Sequence, residues 1–228
     1  MNDVIIYGEC PVKLPESSTY PIGNQEQVCS LLVADCFSWL VSKSLSGIFP
    51  SRKSFDTQLN ILWSNIKPRI STGLSTDLLL GIKDRCLKVY NFFSSLKSFE
   101  VICHDQIFEY HSNKFVLNVP LTVIRHSNIV YSFYLDRLSS PSKTYKMYNI
   151  ASSIIQNVTK DLLDGFTYIK RPCIVKTQNF SFHTFPTVGD LPNVVDNIVI
   201  GMKHVRYPVI GSHCHMCNKK SVCNWFHE

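Results

Sequence analysis

Apolar residues recur at three- and four-residue steps through Gln25–Leu45, where Val28, Leu31, Leu32, Cys36, Trp39 and Leu40 line one side of a predicted helix. Gly47 and Pro50 end it. Phe55 to Ile66 and Asp77 to Leu96 read as two further helices separated by Pro68 and Gly73, the second capped by Ser75 or Thr76. The texture then changes. Glu100 to Tyr110, Lys114 to Arg125 and Asn128 to Leu138 are rich in Val, Ile, Phe and Tyr with short turn-like breaks, which predicts three strands of a meander. Lys143 to Ile150 reads as the next strand, Ala151 to Leu163 as a helix, Tyr168 to Lys176 and Phe180 to Phe185 as strands, and Leu191 to Met202 as a last helix. This order predicts a mixed α/β core over 98–228 with a helical N-terminal section over 1–97, the two forming one compact unit.

The chain has 228 residues, of which 45% are hydrophobic, enough for one large domain with a helical appendage. Its apolar stretches are broken by Ser, Asn or a charge before the roughly 18 residues that a membrane span needs, and MNDVIIYGEC lacks the basic region of a leader. The expectation is a soluble, cytoplasmic protein with no membrane association. Nine cysteines, an odd number at uneven spacing in a chain of this size, fit a reducing compartment better than a disulfide framework. The net charge of +6 is compatible with a polyanionic partner, and much of the surplus falls between Arg125 and Lys176.

Three of the cysteines form Cys214-x2-Cys217-x5-Cys223 in the last fifteen residues. Thiolates are soft ligands that suit iron–sulfur centres or Zn2+, and both usually take four, so the trio requires a distant fourth ligand. Zinc with His213, His215 or His227 is the alternative to an iron–sulfur centre.

The tail from Ile200, with Tyr207-Pro208 ahead of the three cysteines, resembles the end of RecB-type PD-(D/E)XK nucleases with an iron–sulfur staple, the group that includes AddB and the CRISPR-associated RecB-like exonucleases. That resemblance implies a 4Fe-4S cluster. It assigns the upstream ligand to Cys36, followed by Phe37-Ser38-Trp39-Leu40, with Cys29 as the fallback, alongside Cys214, Cys217 and Cys223. It also implies an active site in which one strand ends in Asp followed by Arg and the next carries an acid, any residue and Lys. Tyr131 to Asp136-Arg137 matches the first strand, and Thr144-Tyr145-Lys146 stands at the second with Thr144 in the acid's place. Gln156 falls in the helix where the family has a Gln or Tyr near the site, and the family's upstream His has no counterpart.

In such a nuclease, carboxylates hold Mg2+ or Mn2+ and the Lys helps to activate water. Asp136 and Lys146 are the candidate catalytic residues, and a neutral Thr144 removes one metal-binding charge. The resemblance therefore implies a silent nuclease fold acting as a DNA-binding or complex-forming protein with a protein partner, its phosphate contacts made by Arg137, Lys143 and Lys160. Two alternatives stand beside it. One is an active Mg2+- or Mn2+-dependent nuclease that borrows Asp105 or Glu109, and the other is a viral structural or assembly scaffold.

Overall fold

A computed structural model describes residues 25–69, 76–136, 145–160, 169–176, 180–183 and 186–203. Helix α1 (Gln25–Leu45) ends in a turn where Gly47 takes φ +76°, a left-handed conformation that costs glycine little. Helix α2 (Arg52–Ile66) begins at Ser51, whose hydroxyl accepts from the Ser54 N–H at 3.2 Å. Helix α3 (Thr76–Ser95) packs chiefly against α1, and its Tyr90 hydroxyl donates to the Pro50 carbonyl at 3.3 Å, fixing the α1–α2 connection.

The predicted meander is present as β1 (Glu100–His111), β2 (Val116–His126) and β3 (Ile129–Asp136), each antiparallel to the next. A parallel strand cannot be reached from β3 by a tight turn, so the chain crosses through helix α4 (Tyr145–Val158) before β4 (Ile169–Lys176) pairs with β3. The short β5 (Ser181–His183) adds antiparallel to β4, and α5 (Leu191–Lys203) follows. The sheet order is β1-β2-β3-β4-β5. Here one expectation fails. Of the strand expected over Lys143 to Ile150, the described part, Tyr145 to Ile150, is instead the start of α4. Tyr148, Ala151, Ile154 and Ile155 fall at helical spacing and are all buried, so the 3.6-residue period outweighs the strand propensity of the aromatic residues.

The two sheet faces carry separate cores. On one face Ile124, Phe133, Cys173 and Val175 meet the apolar sides of α1, α2 and α3. An aromatic cluster fills this layer, with Phe133 set 5.4 Å from Phe37, 6.0 Å from Phe92 and 6.5 Å from Phe93, and stacked on Tyr131 at 5.8 Å. On the other face Val119, Leu121, Val123, Val130, Tyr134 and Ile174 pack against α4 and α5. A buried carboxylate ties α5 to the β1–β2 hairpin: Asp196 accepts from the Ser112 hydroxyl at 2.5 Å and from the Lys114 N–H at 3.2 Å.

Among the described residues, one helix, α1, is long and apolar enough over Val28–Leu45 to cross a bilayer, contrary to the expectation that charges and polar residues break every such stretch. In this fold 56% of that window is buried, with Leu32, Cys36, Phe37 and Leu40 in the first core.

Candidate functional site

The parallel pair β3–β4 brings two chemistry-bearing positions to one end of the sheet. Asp136 closes β3 and lies in register with Lys176 at the end of β4. Ligand sites in α/β sheets tend to form beyond the carboxyl ends of parallel strands, and these two positions stand there. Lys146, expected on the strand neighbouring Asp136, instead lies in the first turn of α4, so the proposed Asp136–Lys146 strand pair does not form. On β4, the strand parallel to β3, Lys176 is preceded by Ile174 and Val175, both fully buried. Thr144, Arg137 and Lys143 lie outside the described residues. Lys160 is exposed in the turn that ends α4, its N–H donating to the Asn157 carbonyl at 3.2 Å. Gln156 lies in the last turns of α4, half-buried.

Asp105 and Glu109 are both on β1, and β2 separates β1 from β3. Two inter-strand spacings, about 9.6 Å, separate the backbone of β1 from that of β3. Glu109 faces His111 at 3.5 Å, both exposed. Asp105 sits in a bulge of β1 at φ +49°, a conformation that Asp tolerates better than most residues. Its N–H donates to the hydroxyl of the buried Thr122 at 3.2 Å, and that hydroxyl also lies 3.1 Å from His104 Nδ1. Burial holds the His104 imidazole below its ordinary pKa, with Asp105 acting the other way. By strand alternation Thr122 shares the face of Ile124, and β2 and β3 offer this face Thr122, Ile124, Tyr131, Phe133 and Leu135. None of these is a carboxylate.

The cysteines divide in two. Cys29, Cys36, Cys86, Cys103 and Cys173 are buried and form no disulfide. Cys36 shares a hydrogen bond with Cys86 across the α1–α3 interface, and this bond together with burial pushes its thiol far above the ordinary range. Burial raises Cys103, and it raises Cys173 to about 12. To bind a metal, Cys36 would have to give up both this contact and its proton. The Cys36–Cys86 contact was not anticipated from the sequence. Its signal is the run Ile82, Cys86, Val89 and Phe93, which puts Cys86 on the apolar side of α3. The other four cysteines, Cys10, Cys214, Cys217 and Cys223, lie outside the described residues, as do His213, His215 and His227. Among the described residues no group of three or more His, Cys, Asp or Glu side chains could hold a metal ion.

A groove of about 320 Å³ between α2 and α3 has Phe55 and Leu59 in its floor and Arg52, Asp56, Lys83 and Asp84 at its rim. Arg52 and Asp56 are paired at 3.0 Å, so the rim is of mixed sign and holds no nucleophile beside a base. No family model matches the chain, and no curated protein matches it either.

Proposed function

We propose that this protein is a nuclease-derived, non-cleaving nucleic-acid-binding subunit of the RecB type, with its tail tied to the body by a four-thiolate centre. The observation that carries the reading is the course of the chain from helix through a three-strand meander and a crossover helix to a parallel strand. At the end of that parallel pair Asp136 is in register with Lys176, and we read Ile174 as standing in place of the second acid. One carboxylate binds Mg2+ or Mn2+ far more weakly than two, so the fold keeps its phosphate-facing charge and loses the ion that would activate water. Lys176, with the basic residues Arg137, Lys143 and Lys160, then holds a backbone that nothing at the site hydrolyses.

The tail spacing supports the four-thiolate centre, with a 4Fe-4S cluster as the leading occupant and Zn2+ as the alternative. With the five described thiols committed to the core, Cys10 replaces Cys36 in our reading as the partner of Cys214, Cys217 and Cys223.

The test is made on protein purified without oxygen. About four irons with matching sulfide, lost in Cys10→Ser and retained in Cys36→Ser, is the expected result. Loss in Cys36→Ser alone restores the upstream ligand that the resemblance implies, and a single zinc replaces the cluster. In parallel, single- and double-stranded DNA should bind with an affinity that falls as salt rises, and neither should be cut with Mg2+ or Mn2+. Cleavage abolished by Asp136→Ala refutes the silent-site reading, and the absence of any salt-dependent binding leaves a scaffold.

A further inference from the structure

We propose that the outer edge of β1 is a docking site for an extended, lysine- or arginine-bearing segment of a partner protein, which adds to the sheet as a further strand beside Gln106–His111. Among the described residues the sheet ends at β1 on one side and at β5 on the other. The two edges differ. β5 has three residues, too few to template a partner, whereas β1 has twelve. Natural edges are usually blunted by lysine, proline or a bulge. β1 contains neither lysine nor proline, and its irregularities end at Gln106, leaving Gln106 to His111 in unbroken register with β2.

The chemistry of this stretch selects the occupant. Asp105, Ile107 and Glu109 are exposed, Ile107 at 62%, and β1 offers no cationic Lys or Arg side chain. In a chain of net charge +6 this strand is locally acidic, and it repels a phosphate backbone. A second copy pairing antiparallel about Ile107 would set Asp105 against Glu109, like charges directly opposite. A partner strand with basic residues flanking an apolar one satisfies both carboxylates and covers Ile107, while main-chain hydrogen bonds supply the affinity. On the sheet's other face the same hairpin is already seated, with Phe108, Tyr110 and Leu117 in the second core, so the edge is held rigid for docking. This inference does not depend on a nuclease ancestry or on DNA binding.

The probes are two fluorescein-labelled peptides of the length of β1, one alternating lysine with valine and one alternating glutamate with valine, titrated by anisotropy against the full chain. The lysine peptide is expected to bind and the glutamate peptide not. Amide exchange should slow at 106–111 in the bound form. The double variant Asp105→Asn, Glu109→Lys retains a side chain suited to φ +49° at the bulge and should lose at least tenfold in affinity for the lysine peptide. Ile107→Lys, at an exposed position, should lose a comparable factor and serves if the double variant fails to fold. Equal affinity for the two peptides, unchanged affinity in the variants that fold, or protection confined to other elements overturns the proposal. So does a dimer seen by light scattering that Ile107→Lys dissolves, which would assign the edge to a second copy.

Discussion

Replacing Phe133 with alanine tests whether the helices and the sheet form one cooperative body. Its ring is 1% exposed and lies in the row between Thr122 on β2 and Cys173 on β4, where it touches α1 through Phe37 and α3 through Phe92 and Phe93. Truncating a buried Phe to Ala costs about 3–5 kcal/mol, the lost transfer energy plus a cavity that the neighbours only partly fill. Four ring neighbours within 6.5 Å place this residue toward the upper end, because each aromatic pair adds to simple burial. A loss of about 4 kcal/mol moves the urea midpoint down by about 1.5 M at an unchanged slope. It also lowers Tm by about 10 °C in a protein of this size. Phe133→Leu, which keeps much of the volume, should cost only about 1–2 kcal/mol. The assay is equilibrium urea denaturation followed by circular dichroism and tryptophan fluorescence. A loss below about 1 kcal/mol in Phe133→Ala, or two separate transitions in the wild type, would refute a shared core on that face.

Asp196→Ala should destabilise the protein by about 2–3 kcal/mol, since the Lys114 N–H loses its carboxylate partner while the Ser112 hydroxyl can turn to the Phe115 carbonyl 3.0 Å away; Asp196→Asn, which keeps an acceptor, should cost less by the same denaturation assay. A thiol reagent at pH 8 should label at most four of the nine cysteines quickly in native protein and all nine in urea, because Cys29, Cys36, Cys86, Cys103 and Cys173 are buried. Stability should fall at alkaline pH for a related reason. Cys173 titrates near 12 when folded against 9.0 when unfolded, so above pH 9 the unfolded chain holds fewer protons, and its share of stability drops by about 1.4 kcal/mol per pH unit until pH 12. Cys173→Ala should remove its share of that slope and leave the shares of Cys36 and Cys103, as read from urea midpoints between pH 8 and 11.

Much of the framework was legible because each element announces its period. The apolar steps of Val28, Leu32, Cys36 and Leu40 define α1, and the alternation of Val119, Leu121 and Val123 defines the buried face of β2. The miss at Tyr145 to Ile150 shows where local propensity stops being decisive. Tyr145, Tyr148 and Ile150 favour a strand singly, but β4 must run parallel to β3, and only a crossover of helical length can return the chain to the same end of the sheet. The site was less legible than the fold. Which residue faces Asp136 depends on a sheet neighbour 40 positions away, Lys176, and no short motif encodes that register. The thiol pairing of Cys36 with Cys86 likewise arises from the packing of two helices whose apolar sides could meet in several rotations.

The shared core of α1–α3 with the sheet bears on how the chain is made. Phe37 leaves the ribosome roughly a hundred residues before Phe133, and at about 5–20 residues per second that is a delay on the order of 5–20 s. Through that interval the nascent helices present Phe37, Phe55 and Phe93 to solvent without the strands that will cover them. Synthesis of this protein should therefore depend on a holdase that shields α1–α3 as they emerge. Slowing translation after α3 should lower the soluble yield, and supplying that holdase in excess should restore it.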